Sequence, residues 1–171
     1  MKYVIDHFTY AQLTWLIVIS YAFHYLEEGP RLAKWLNEHY PVIQKKGMFY
    51  TQAKLNTENL IMFSATLLTV VLINYYPDNW MLRAINLGWA VGLFGNTYFH
   101  AKPTILQAIY SPGVVTSAFF FPVTLIILIE KALLENFFSL PLAIFSIIWG
   151  PLGYIGMITF THKVLFKNTL R

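Results

Sequence analysis

The 171-residue chain contains no cysteine. That excludes disulfide scaffolds, thiolate zinc sites, iron–sulfur clusters and a cysteine nucleophile. Charge is scarce as well. Asp, Glu, Lys and Arg make up 12% of the residues, only 8 of them acidic, which is about half the charged fraction of a soluble domain. The chain carries no glycine-rich phosphate loop, dinucleotide fingerprint or Ser-His-Asp pattern. These shortages exclude a disordered chain and an ordinary soluble enzyme. What is present is apolar: 57% hydrophobic residues, 18% aromatic, and a mean hydropathy of +0.52.

That composition predicts an all-α integral membrane protein. A span needs roughly 20 mainly apolar residues, and five segments meet that need: 8–28, 55–76, 80–100, 112–129 and 137–161. They use most of the chain, so residues 1–171 read as a single transmembrane domain. Segment 8–28 lacks a basic start and a small-residue cleavage site, so it reads as a retained span rather than a signal peptide. Gly29-Pro30, Pro77-Asp78-Asn79 and Lys102-Pro103 punctuate the spans. Residues 31–40 read as a short helix with Leu32, Trp35, Leu36, His39 and Tyr40 among its members. Its apolar face predicts a position in the membrane interface.

Five spans put the termini on opposite sides. The loops 29–54 and 101–111 and the tail after 161 hold Arg31, Lys34, Lys45, Lys46, Lys54, Lys102, Lys163, Lys167 and Arg171. The other side holds Lys2, Arg83 and Lys131. Basic loops favour the cytoplasm, so the sequence predicts a multi-pass cell-membrane protein with its N-terminus outside and C-terminus inside. Charge spread over membrane-flanking loops argues against a nucleic-acid partner. The expected partners are membrane lipids and a hydrophobic small molecule.

On this topology the polar residues gather at the cytoplasmic end. His24, Glu27 and Glu28 close the first span, and Glu58 and Asn59 open the second. Asn96 and His100 close the third, Tyr110-Ser111-Pro112-Gly113 opens the fourth, and His162 closes the fifth. At 100° per residue His24, Glu27 and Glu28 share a helix face, and so do Asn96 and His100. Ionisable groups at this depth are costly and usually face the bundle interior. A nitrogen-and-oxygen ligand set from His24, Glu28, His100 and Glu58 suits a divalent metal, zinc or non-haem iron. Glu27, Glu28 and Glu58 are the candidate acid–base groups, and Asn96 and Tyr110 are candidates to contact a cofactor. Gly88, Gly92 and Gly95, with Gly150, Gly153 and Gly156, read as stripes for close helix packing.

His24-Tyr25-Leu26-Glu27-Glu28 resembles the pattern that names the HXXEE-domain membrane proteins. Asn96-Thr97-Tyr98-Phe99-His100 is similar to that family's NxxxH motif, and Tyr110-Ser111-Pro112-Gly113 to its YxPG motif. The resemblance covers about 8–129. It implies an integral membrane protein, with an enzyme as the expectation and the reaction unassigned. Glu58 and His162 lie outside the three motifs and enter from topology alone.

Three functions fit these residues. The first is a metal-dependent hydrolase or oxidoreductase acting on a lipid-like substrate. The second is a metal-free acid–base isomerase or cyclase, using a buried carboxyl as the acid. The third is a non-enzymatic ion or ligand site. The outer halves of the spans are mostly apolar, which argues against a channel.

Overall fold

The computed structural model describes residues 2–40, 49–161 and 163. His162 and the basic residues Lys45, Lys46, Lys167 and Arg171 lie outside them. Among the described residues the chain is helical and has no strand. The helices are α1 (Lys2–His7), α2 (Tyr10–Leu13), α3 (Trp15–Glu28), α4 (Leu32–His39), α5 (Gln52–Tyr75), α6 (Trp80–Gln107), α7 (Val114–Leu134) and α8 (Leu140–Phe160).

Three of them are long and apolar enough to cross a membrane: Gln52–Tyr75, Val114–Leu134 and Leu140–Phe160. The sequence predicts five, and segments 8–28 and 80–100 do not reach that length and composition as helices. Segment 8–28 is not one helix. Thr9 and Gln12 form a capping box that starts α2, and the chain re-enters helix after Thr14. The 14 residues of α3 span roughly 21 Å, short of a hydrocarbon core of about 30 Å. Segment 80–100 lies in the 28-residue α6, whose glycines, asparagines and histidine dilute its apolar content.

Helix α6 also runs through Lys102-Pro103, the expected stop. Pro103 is buried within it, and the helix ends at Ala108, a left-handed residue with φ 53° whose N–H bonds to the Pro103 carbonyl. The boundary is therefore a cap rather than the proline.

Glycine contact explains how α6 meets α8. A Cβ added to Gly150 would strike the Gly88 carbonyl oxygen, and one on Gly92 would lie 3.0 Å from the Gly150 oxygen. Backbones this close gain dispersion contact that lipid cannot supply. The Ser146 hydroxyl adds an interhelical bond of 3.0 Å to the Ala84 carbonyl. Gly95 and Gly156 depart from the expected packing role, because a Cβ at either would meet nothing within 4 Å.

Helix α4 turns its apolar face inward. Leu32, Ala33, Trp35 and Leu36 are buried and pack with Leu55, Tyr40, Tyr50 and Phe99. The face that sequence assigns to the membrane interface thus covers one end of the bundle.

Long-range bonds define two bundle ends. At one, the Tyr10 hydroxyl reaches the Arg83 carbonyl, the Tyr10 N–H reaches Glu135, and Asn74 reaches the Ala11 carbonyl. At the other meet the end of α3, the start of α5, the end of α6 and the start of α7.

Candidate metal centre

His24 and Glu28 sit one turn apart at the end of α3, and Asn96 and His100 one turn apart on α6. Each pair therefore projects from one helix face. The tertiary fold turns the two faces together. His24 Nε2 lies 3.0 Å from Glu28 Oε1, and His100 Nε2 lies 2.9 Å from the same oxygen. Both histidines are fully buried, and Glu28 is 5% exposed. The imidazole rings stand edge to face at 4.9 Å. The three ligand atoms lie within 4.8 Å of one another, a spacing that can hold a metal ion.

The surrounding hydrogen bonds decide which ring nitrogen carries the proton. The Thr116 hydroxyl donates to Glu27 Oε2 at 2.6 Å. A carboxylate only accepts, so the Thr116 oxygen is left to accept from His24 Nδ1, 2.9 Å away. A neutral His24 therefore keeps its proton on Nδ1 and turns a bare Nε2 inward. His100 Nδ1 meets the Ser111 hydroxyl at 3.0 Å.

Two tyrosines orient two amides. The Tyr154 hydroxyl donates to Asn96 Oδ1 at 3.4 Å, so Asn96 Nδ2 faces His24 Nε2 at 3.0 Å and His100 Nε2 at 3.3 Å. The Tyr21 hydroxyl donates to Asn59 Oδ1 at 3.2 Å, and Asn59 Nδ2 donates to Glu28 Oε2 at 3.3 Å. The centre thus gathers two imidazole nitrogens and a carboxylate oxygen. Such a group repels itself unless a proton or a metal cation neutralises it.

Glu27 faces elsewhere. Its Oε1 accepts from the Tyr110 hydroxyl at 2.6 Å and the Val115 N–H at 3.2 Å. Its Oε2 accepts from the Thr116 N–H at 2.8 Å and the Thr116 hydroxyl. These backbone donors are the unsatisfied first turn of α7, where a negative charge is favoured. A hydrogen bond to a charged group contributes about 1.5–3 kcal/mol, so Glu27 clamps α3 to α7. The phenol of Tyr110 is pushed up to about 12 by its bond to Glu27 and then by partial burial. Its proton therefore stays in place at neutral pH.

Gly113 closes the centre from the α7 side. Its φ is +94°, and an added Cβ would come within 2.6 Å of His24 Cε1, 2.9 Å of Glu28 Cγ and 3.0 Å of His100 Cε1. Only glycine supplies both that backbone conformation and that approach.

The structure therefore brings together His24, Glu28, His100 and Asn96. It places Glu27 and Tyr110 on each other, one layer out. Glu58 does not join the three-atom group. It lines a cavity that it shares with Glu28, Asn59 and Asn96. Sequence reasoning misses Thr116, Tyr21 and Tyr154, and it gathers Ser111 at this end without a role. Ser111 and Thr116 carry a local signal, since both flank the Pro112-Gly113 turn. Tyr21 and Tyr154 carry none, because their partners lie on other helices.

A buried centre of two histidines and one carboxylate in a helical bundle is the class that fold and site define. The chain belongs to the family described as proteins of unknown function with an HXXEE motif, whose profile matches residues 15–127. No curated protein and no solved structure matches the chain.

Proposed function

We propose that this chain is an integral membrane metal-dependent enzyme, of hydrolase or oxidoreductase type, acting on a hydrophobic substrate. In this reading α1–α3 and α6 cross the membrane with the three apolar helices, giving five crossings, the N-terminus outside and the centre near the cytoplasmic face. His24, Glu28 and His100 hold the metal. The observation that carries the reading is the convergence of His24 Nε2, His100 Nε2 and Glu28 Oε1, with Thr116 and Glu27 backing the outer nitrogen of His24. Histidine ligands in metal sites are held in this way by a partner on the other ring nitrogen. Two histidines and one carboxylate suit zinc or non-haem iron. A bound zinc supplies Lewis-acid activation of water, and iron supplies oxidation chemistry.

The chain's own residues orient and exclude. Asn96 holds both imidazoles in register, Asn59 holds Glu28, and Gly113 seals the side facing α7. Glu58 stands across the cavity as a carboxyl able to take or give a proton.

Asn96 supports a second reading. Its amide already donates toward both Nε2 atoms, so a single shared proton also satisfies the group. That is a metal-free acid–base site.

The test is elemental analysis of detergent-purified protein. The metal reading expects about one equivalent of zinc or iron per chain, lost in His24→Ala and His100→Ala. Less than about a tenth of an equivalent, unchanged by reconstitution, removes it. Activity that survives exhaustive chelation then favours the acid–base site.

A further inference from the structure

Beside the centre lies a cavity of about 450 Å³, in the usual range for a ligand site. It runs beneath α4, between α5 and α8, and Glu28 and Asn96 form one wall of it. Its lining is mostly apolar and includes Leu32, Leu36, Met62, Phe99, Ile155 and Ile158. Gly95 is exposed although it lies within α6, because it borders this space and a Cβ there would meet nothing within 4 Å. Pro151 and Ile155, also exposed, place the mouth along α8, where the outward side chains Leu152, Ile155 and Phe160 are apolar. Entry is thus from a hydrocarbon-like flank.

Size and charge select the occupant. At roughly 30 Å³ per methylene-sized group, the space takes on the order of 15 chain carbons. Two sixteen-carbon chains would need roughly 1,000 Å³ on the same scale, so the second chain of a diacyl lipid would have to lie outside on the open flank. Two carboxylates, Glu28 and Glu58, face the cavity. No lysine or arginine is among the described lining residues, so a phosphate or carboxylate head would find no side-chain cation there and would face Glu58. The hydroxyls of Tyr50 and Tyr154 and the amides of Asn59 and Asn96 instead suit an uncharged alcohol, ester or amide.

We infer that the cavity is the chain-binding site for an uncharged, single-chain lipid, whose polar head lies against the His24–Glu28–His100 centre and whose tail passes Gly95 beneath α4. This rests on the proposed enzymatic centre and adds its substrate class. Gly95 then has a role that packing does not give it: it keeps the tail channel open.

The test is equilibrium binding of radiolabelled 1-hexadecanol, palmitate and dipalmitoylphosphatidylcholine to the full-length protein in micelles. Hexadecanol is expected to bind saturably, at least about tenfold tighter than palmitate, with no saturable phospholipid binding. Gly95→Phe fills the channel and is expected to weaken hexadecanol at least about tenfold, while Gly95→Ala stays within about twofold. Ile155→Trp, at the exposed mouth, gives a second block that does not depend on a helix-interior change. Palmitate binding as tightly as hexadecanol overturns the inference, as does wild-type binding in both blocked variants. Metal measured on the same samples separates the two readings. Hexadecanol binding by metal-free protein keeps the chain site and removes the metal centre. Full metal occupancy without saturable hexadecanol binding overturns the chain site alone.

Discussion

Thr116 and His24 are joined by a 2.9 Å hydrogen bond in which the Thr116 oxygen accepts from His24 Nδ1, with His24 Nε2 turned toward Glu28. The bond has this direction because Glu27 takes the Thr116 hydrogen. Thr116 and Glu27 are thus positioning residues for the proposed ligand His24: Thr116 bonds its outer nitrogen, and Glu27 acts through Thr116. Thr116→Val is expected to weaken metal binding about 10–100-fold, and Thr116→Ser to restore it. Competition against a chelator of known affinity measures both. Equal affinity in Thr116→Val and wild type would remove the relay.

Gly113→Ala tests the turn that seals the centre. A left-handed backbone costs a side-chain-bearing residue about 1–2 kcal/mol, and the new methyl would also displace His24, Glu28 or His100. The expected outcome is a lowered melting temperature together with lost metal binding. A variant that melts lower yet binds metal normally would show strain without displacement of the ligands.

The glycines of α8 divide sharply. Gly150→Ala drives a methyl into the Gly88 backbone, whereas Gly156→Ala meets open space. Thermal unfolding in detergent is expected to fall by several degrees for the first, corresponding to about 1–3 kcal/mol of overpacking. For the second it is expected to stay unchanged or rise slightly, since alanine favours helix over glycine. Equal melting temperatures would mean that α6 and α8 do not meet at these glycines.

The absence of cysteine makes topology directly measurable, because any introduced thiol is the only one. On the proposed arrangement of five crossings with basic loops inside, Lys2→Cys is expected to react with a membrane-impermeant maleimide in intact cells. Lys34→Cys, whose parent side chain is 82% exposed on α4, is expected to react only after permeabilisation. The reverse pattern would invert the proposed orientation, and labelling of both from outside would overturn the odd number of crossings.

Part of this site was legible in advance. His24 with Glu28, and Asn96 with His100, are one-turn pairs, and alternating spans bring their helix ends to one side. Gly113 stands in the motif that opens the fourth span, but its approach to His24, Glu28 and His100 is not readable there. Glu58 behaves differently. Topology places it at the right end of the bundle, but its rotation on α5 directs it to the cavity instead of the three-atom group. Gly95 fails for a similar reason. It shares a stripe with Gly88 and Gly92, yet α8 touches only those two closely. Pro103 was read as a helix end because proline disrupts helix interiors, and the cap at Ala108 was not anticipated.

The sequence alone determined the apolar, helix-forming character of the chain and the gathering of its polar residues at one end. Both follow from hydropathy and helical period, which are local properties. Tertiary structure decided the roles of the two adjacent glutamates. Glu27 and Glu28 are neighbours in the chain but about 100° apart around the helix. One therefore meets the first turn of α7 and Thr116, and the other meets the imidazoles of α3 and α6. Which helix fills which side of α3 is set by packing between distant segments, and no residue pattern within the motif contains it.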